Sequence, residues 1–248
     1  NADKKLPVGV CHPGIHSIQT GLVKNSPNCE WINNKPFQKD LRESLSREVL
    51  CENDANCFTL SEAIDGSGKH YKIVFGVILG SGVGGGLVID KKIVSGPHGI
   101  TGEWGHNQLP LNVDNFNNNT KNLRDGEIES FVSGLSLSKM FKNNFKKDLN
   151  AQQIFELFRK NDLDAKKTIE QFKKNLSLGI ASVVNILDPD AFIFGGGLSN
   201  EIDFFDEIQS NVRKFVAGNE FEGVFLKPKY GDASGVRGAA RLGRRVSY

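Results

Sequence analysis

Asp54 stands in Glu52-Asn53-Asp54-Ala55-Asn56, where a short β-rich run gives way to helix-forming residues. A carboxylate at such a junction can be held by the backbone amides that open the helix. Two readings follow: it caps the helix and does nothing more, or it is a general base that takes the proton from a hydroxyl as that oxygen attacks phosphorus. An alcohol is far less acidic than an aspartic acid, whose free value is about 3.9, so in the second case proton transfer comes late and positioning dominates. Such chemistry needs a cradle for phosphate. Leu79-Gly80-Ser81-Gly82-Val83-Gly84-Gly85-Gly86 offers a turn rich in unobstructed N–H groups that can wrap phosphate oxygens, although the same glycines serve a tight hairpin without any ligand. Gly195-Gly196-Gly197, after the apolar run Phe192–Phe194, is either a close approach to a nucleoside or a plain strand-to-helix connection. Gly102-Glu103-Trp104-Gly105-His106 sets a carboxylate and an imidazole among glycines, where both can bond sugar hydroxyls. A histidine of this kind is equally at home as a satisfied surface or core residue. Glu129 opens a predicted helix, a place that favours an acid whether or not it binds anything.

The elements that must position these groups are legible in outline. Strands are expected at Leu6–Cys11, Ile18–Val23, Glu48–Cys51, Tyr71–Leu79, Leu87–Ile89, Ala191–Phe194 and near Val224–Leu226. Gly80–Gly86 is read as the turn of a hairpin between the fourth and fifth of these. Helices are expected at Asp40–Ser46, Cys57–Ile64, Phe131–Phe145, Ala151–Asn161, Ala165–Leu187, Ile202–Ala217 and Gly235–Leu242. In the second, Ala55, Phe58, Leu60 and Ala63 recur on one side. Asn25–Lys39 and the Asn-rich Asn112–Lys121 are read as loops. Strands early, helices later and a late strand running into glycines indicate an α/β protein with its sites at strand ends.

Composition narrows the classes. With 38% hydrophobic and 24% charged residues in 248, the chain is an ordinary folded one of one large domain or two modest lobes. Its 31 basic and 29 acidic residues leave a formal charge of +2, which gives no general pull towards nucleic acid or an anionic membrane. No apolar run approaches the roughly 20 residues that span a bilayer, and Asn1–Pro7 has no signal-peptide core, so a cytoplasmic location is expected. Cys11, Cys29, Cys51 and Cys57 show no C-x-x-C pairing and are read as reduced structural thiols. The sequon Asn118-Asn119-Thr120 is discounted on the same expectation of location.

Taken in order, five segments resemble the ROK family of sugar kinases and repressors over nearly the whole chain: ENDANCFTLSEA at Glu52–Ala63, VILGSGVGGGL at Val77–Leu87, TGEWGHN at Thr101–Asn107, NILDPDAFIFGGGLSN at Asn185–Asn200 and GDASGVRGAA at Gly231–Ala240. The wording of Val23–Leu41 and of GEWGHNQLP is most similar to the manno(fructo)kinase branch, with the N-acetylglucosamine kinases next. The resemblance implies an α/β, actin-like ATPase (ribonuclease H-like), two-lobed sugar kinase fold in which ATP and sugar meet between lobes, residues 1–75 being the remainder of the N-terminal lobe and 76–248 the C-terminal lobe. By position, Asp54 is then the catalytic base, and Asn53, Glu103, His106 and Glu129 hold the sugar, with Asn25 or Asn28 a further contact. Gly80, Ser81, Gly82 and Gly84 follow the ATP phosphates, and Gly195, Gly196 and Gly197 lie near the adenosine.

Two departures stand beside it. The family's opening D-x-G-G-T-K phosphate loop is absent from this chain, so the first part of the N-terminal lobe is missing, and the natural protein is expected to be longer. The family's C-x-C-G-x-x-G-C zinc segment is replaced by Leu123-Arg124-Asp125-Gly126-Glu127-Ile128-Glu129, so His106 is a metal ligand only if a zinc site is retained without its cysteines. The resemblance implies ATP with Mg²⁺ as cofactors, a hexose as substrate, no nucleic-acid or membrane partner, and a homodimer as the family's frequent state. Fructose, phosphorylated at its 6-hydroxyl, is the expected substrate, with an N-acetylglucosamine kinase or glucokinase as the alternative. From another class, the rival is a non-catalytic sugar-binding relative, a pseudokinase or a repressor's effector domain.

Overall fold

A computed structural model describes residues 6–26, 29–109 and 126–243. Asn28, the loop expected at Asn112–Lys121 with its sequon, and Leu123–Asp125 lie outside the described residues. The chain forms two units: Asn1–Gly76, Gly85–Gly102 and Leu226–Tyr248 make one, Val77–Gly84 and Glu103–Phe225 the other.

In the first unit, strand β1 (Val8–His12) pairs in parallel with β4 (Val49–Asn53), His12 opposite Asn53. Between them run the two-residue strands β2 (Ile15–His16) and β3 (Val23–Lys24), antiparallel to each other, and helix α1 (Phe37–Leu45). The strand expected at Ile18–Val23 is not there. Gly21, at φ 67°, donates its N–H to Ser17 O at 2.8 Å, and that turn uses up the middle of the apolar run. The expected loop Asn25–Lys39 contains a 3-10 turn at Glu30–Ile32 and the start of α1.

Helix α2 (Asp54–Asp65) follows β4 directly, and α8 (Ser234–Leu242) packs along it. Every residue from Ala55 to Ala63 is buried, polar ones included, so the one-sided apolar pattern understates the helix. Several of its polar side chains find partners inside, as when Thr59 Oγ1 donates to Ala55 O at 2.8 Å, whereas Ser61 Oγ has none among the described residues. Glu62, fully buried, accepts from Ser234 Oγ at 2.6 Å and from the backbone N–H groups of Ser67, Lys229 and Tyr230. Asp65 receives Arg237 at 3.0 Å and also Arg241. The small residues of Gly231–Ala240 thus serve close helix packing: a Cβ on Gly238 would lie 1.7 Å from Cys57 O.

A five-stranded sheet has the order β7-β6-β5-β8-β9, built from β5 (Ile73–Leu79), β6 (Val83–Ile89), β7 (Lys92–Ile93), β8 (Ala191–Gly195) and β9 (Val224–Leu226). Gly84, Gly85 and Gly86 belong to β6 and not to the turn, which shrinks to Gly80–Gly82. The ladder needs only an extended backbone, which glycine can supply, and Gly86 is required because a Cβ there would meet Thr59 Oγ1 at 2.6 Å.

The second unit gathers α3 (Glu129–Val132), α4 (Gly134–Phe145), α5 (Ala151–Arg159), α6 (Leu163–Leu187) and α7 (Phe205–Arg213) with β8. Helix α7 is shorter than the sequence pattern suggests. β8 is buried at every position, and Phe192 and Phe194 stack edge-on or tilted against Phe225 at 5.3 Å. Each such fully buried ring contributes about 1.5–3 kcal/mol. Helices α5 and α6 start on side-chain caps from Asn150 and Asp162, the first a capping box closed by Gln153.

Candidate functional site

The parallel pairing of β1 with β4 brings His12, Asn53 and Asp54 to the same strand ends. Asn53 is the N-cap of α2: its Oδ1 accepts from Ala55 N at 2.9 Å and Asn56 N at 3.2 Å, while its Nδ2 donates to Gly14 O at 3.0 Å. The fold therefore engages this amide at both ends. Because Asn53 does the capping, Asp54 is the first helical residue, exposed on one side, with its Oδ1 accepting the Ala55 N–H at 2.9 Å. Burial on its inner side pushes the Asp54 carboxyl above the usual range, against the pull of the Ala55 amide and of the nearby His12 ring. Gly14, the partner of Asn53, lies against Lys24–Ser26, so Asn25, exposed and left-handed at φ 49°, belongs to the same corner.

Two residues of this corner were not among the expected site residues. Glu52 Oε1 accepts from Asn53 N at 2.9 Å and Asn56 Nδ2 at 3.0 Å, and its Oε2 from Ser95 Oγ at 3.1 Å. It holds the junction that presents Asp54. His12 is 3% exposed, donates from Nδ1 to Pro13 O at 2.9 Å, and packs against the rings of His16 and Phe37 at 5.9 and 5.8 Å. The signal that points to it is its position, one residue past the expected strand end at Cys11.

The second unit carries the remaining candidates. His106 Nδ1 lies 3.1 Å from Glu127 Oε2 and, because a carboxylate only accepts, bears a proton there, while Nε2 turns towards Glu103 Oε2 at 3.7 Å. Glu127 reaches this place through backbone pairing, Ile128 N donating to Asn107 O at 2.8 Å and Leu109 N to Gly126 O at 2.9 Å. No local pattern singles out Glu127, which sits across a long sequence gap from His106. Trp104 is buried and donates Nε1–H to Gly84 O at 2.8 Å, fixing the Glu103–His106 segment on β6. Glu129 Oε2 accepts the Val83 N–H at 2.7 Å, and a Cβ on Gly82 would lie 2.7 Å from that oxygen. Glu129 thus closes the glycine turn.

The N–H of Gly80 in the turn and that of Val83 just after it are spent on Gly82 O and Glu129. Ser81 is exposed and lines two cavities, one of about 470 Å³ and one of about 590 Å³. The smaller brings Gly80 and Ser81 together with Gly197, and adds Gly134, Ser138, Asn150 and Glu201, which no motif marked. The larger includes Glu129 and Lys139. Gly196, at φ 85°, could not carry a Cβ, which would stand 2.4 Å from Leu79 O, whereas Gly197 has open space in front of it. Packing therefore explains Gly196, and the cavity claims Gly197. Gly195 ends β8 and is buried.

Among the described residues no group of three or more His, Cys, Asp or Glu side chains is placed to hold a metal. The neighbours of His106 are carboxylates and not thiolates, so the described residues do not fit a structural zinc. All four cysteines are free thiols. No helix among the described residues is long and apolar enough to cross a membrane.

The family model described as ROK family matches residues 1–246. The N-acetyl-D-glucosamine kinase of Histophilus somni is 36% identical over 258 residues, which cover 97% of this chain and 82% of that protein. The enzyme of the same name from Yersinia enterocolitica is 35% identical over 96% of this chain and 80% of its own. Among solved structures, the ROK hexokinase from Thermus thermophilus superposes with a TM-score of 0.82 at 25% identity, covering 96% of this chain and 79% of that one. A ROK family glucokinase from Streptomyces griseus, in complex with glucose and AMPPNP, gives 0.78 at 25% identity, over 97% and 82%.

Proposed function

From the premise that this chain belongs to the ROK family and has the actin-like ATPase fold of its sugar kinases, we propose that it is an ATP-dependent sugar kinase whose acceptor is N-acetyl-D-glucosamine. The observation that carries the reading is 36% identity to an N-acetyl-D-glucosamine kinase over 97% of this chain. Fructose is the other acceptor to weigh, on the wording of Asn25–Lys39 and Trp104–Leu109. The relatives support a sugar kinase and favour the amino sugar over fructose. A cytoplasmic location goes with the proposal.

In the proposed reaction a sugar hydroxyl attacks the γ-phosphorus of ATP, the new O–P bond forms as the bridge to ADP breaks, and the hydroxyl proton passes to the Asp54 carboxylate. Asn53 and Glu52 set the first turn of α2, so they aim Asp54. Glu103 and His106 are proposed to meet sugar hydroxyls, with Asn25 from the corner beside Gly14. The place of the His106 ring between the Glu127 and Glu103 carboxylates supports a polar role for it. Glu129 is proposed to serve the site by holding Val83 and with it the glycine turn. Gly80, Ser81, Gly82 and Gly84 are proposed to follow the phosphates, and Gly197 to border the nucleoside. Mg²⁺ accompanies the nucleotide in this proposal, lowering the charge of the phosphates. It keeps several waters and binds mainly phosphate oxygens with one or two carboxylates, so the lack of a side-chain cluster among the described residues is compatible with it.

Asp54→Asn tests the base. Removing a general base lowers turnover roughly 10²- to 10⁴-fold, with the variant's melting temperature unchanged. Full turnover in a folded Asp54→Asn protein would sink the assignment. A panel of N-acetylglucosamine, glucose, mannose and fructose at fixed ATP decides the acceptor by kcat/KM, and fructose in first place would overturn the amino sugar as acceptor.

A further inference from the structure

We infer that Glu201, held in place by Arg159, takes the ribose hydroxyls of the nucleotide and so makes the site select ribonucleotides over 2′-deoxyribonucleotides. The inference rests on the reading of this chain as an ATP-dependent kinase and names the part of ATP that the smaller cavity reads. That cavity, of about 470 Å³, lies within the second unit, between the glycine turn and three starts of helical backbone. Gly134, which opens α4, donates its N–H to Gly80 O at 2.8 Å, and a Cβ on Gly134 would stand 3.8 Å from that of Ala151 in the first turn of α5. Both helix starts therefore lie against the turn. The third is the 3-10 turn Gly197–Glu201 that follows β8. Its Ser199 is buried and donates from Oγ to Gly196 O at 2.7 Å, and Ile202 N donates to Ser199 O at 3.2 Å, which fixes the segment that ends in Glu201.

Glu201 is fixed a second time through its side chain. Arg159, in the last turn of α5, donates from one guanidinium nitrogen to Glu201 Oε2 at 2.7 Å and to Glu201 O at 3.3 Å. The Glu201 side chain is 20% exposed, so it is held against the protein and still reachable from the cavity that it lines. Its Oε1 accepts no hydrogen bond from the described residues. Among the residues that line this cavity Glu201 is the one that carries a charge.

The chemistry of the donors decides which part of a nucleotide meets it. A carboxylate only accepts hydrogen bonds and repels phosphate, so it takes a neutral donor. ATP has two kinds, the ribose diol and the amino group of adenine. The edge of adenine sets its amino donor beside a ring-nitrogen acceptor, which suits a side-chain amide, and the cavity offers Gln152, whose amide has no partner among the described residues. A carboxylate at that edge would face the lone pair of the ring nitrogen. The diol instead presents two O–H donors that can both turn to one carboxylate, and an acidic side chain on a ribose hydroxyl is a recurring solution where nucleotides bind. Leu135, 69% exposed on the cavity wall, gives the base an apolar surface.

The test is calorimetry of the protein with ATP, with 2′-deoxy-ATP, and with ITP, whose base carries an oxygen in place of the amino group. The parent is expected to bind ATP roughly 10-fold more tightly than 2′-deoxy-ATP, the effect of one hydrogen bond to a charged group. Glu201→Ala brings ATP down to the affinity of 2′-deoxy-ATP and leaves the preference for ATP over ITP as it was. Arg159→Ala, which lets the carboxylate leave its place, narrows the ratio of ATP to 2′-deoxy-ATP in the same direction. The ion pair is partly exposed, so both variants are expected to fold. Glu201→Gln, of the same shape without the charge, gives the same readout should the truncation disturb the fold. Equal affinity of the parent for ATP and 2′-deoxy-ATP, or a Glu201→Ala protein that keeps the preference, overturns the inference. Loss of the ATP-over-ITP preference in its stead also overturns it, by moving Glu201 to the base. Binding is read without turnover, so a protein that shows the expected preference and phosphorylates no sugar strikes the kinase reading and leaves Glu201 in its role, whereas a parent that binds neither ATP nor 2′-deoxy-ATP strikes both.

Discussion

At the scale of single residues, two of the three carboxylates of α2, Asp54 and Glu62, are shifted in opposite directions. Asp54 is exposed, and its carboxyl is pushed up by burial of its inner side. The base proposed at Asp54 must be ionised to work, and as pH falls Asp54 gains its proton earlier than a free aspartate does. The acid limb of kcat/KM is therefore expected to have its midpoint above about 3.9. A pH profile with the limb at or below that value would contradict the environment assigned to Asp54. Glu62 is buried and pulled down: burial alone would raise it, but Ser234 and the amides of Lys229, Ser67 and Tyr230 outweigh that. With its folded value below its unfolded one, Glu62 contributes stability that is complete above the unfolded value of about 4.3 and is lost as pH falls through the folded value. Glu62→Gln sets an amide against several donors and is expected to cost roughly 1–3 kcal/mol at pH 7 in urea unfolding, with a smaller deficit in acid. Equal deficits at both pH values would show that the charge is not what Glu62 supplies.

At the scale of elements, glycines of similar appearance do different work. Gly238 of α8 and Gly9 of β1 would each place a Cβ 1.7 Å from a backbone oxygen, of Cys57 and of Ala239, and backbone does not yield as a flexible side chain does. Gly238→Ala is expected to cost about 1–3 kcal/mol or more, seen as a lowered urea midpoint. Gly80 has a negative φ, and a Cβ added to it would have nothing within 4 Å. Gly80→Ala should therefore leave stability within about 0.5 kcal/mol of the parent while weakening ATP binding in calorimetry, because the new methyl group borders the cavity shared with Ser81 and Gly197. Loss of stability without loss of ATP affinity would reverse that assignment. The same distinction governs legibility. The boundaries of helices α4 to α6 and of β9 lie close to the pattern read from residue types, because apolar periodicity and caps such as Asn150 and Asp162 are local properties. The passage of Gly84–Gly86 into β6 was not readable, because crowding from α2 settles it, whereas the turn at Ser17–Gly21 is closed by a local bond inside a run whose apolar residues read as a strand.

At the scale of the whole molecule, a sugar kinase of this family is expected to be stabilised by its own ligands. Binding at 100 times the dissociation constant adds about 2.7 kcal/mol, so thermal unfolding should shift upward with ATP and with N-acetylglucosamine, and less with fructose at equal concentration. A larger shift with fructose would favour the fructokinase alternative. The family and its fold follow from the order of five short segments, since each segment alone admits a plain structural reading and the combination does not. Residue types alone also single out Asp54, the glycine turn and the Glu103–His106 segment as candidates, because carboxylate, imidazole and bare backbone are the groups that such chemistry requires. What they do for the fold was settled only in three dimensions. Strand register set His12 beside Asn53, backbone pairing carried Glu127 to His106, and helix packing joined Glu62 to Ser234. Each of these is a contact between residues remote along the chain, and local propensity, which acts over one or two turns of backbone, carries no information about which distant partner will arrive.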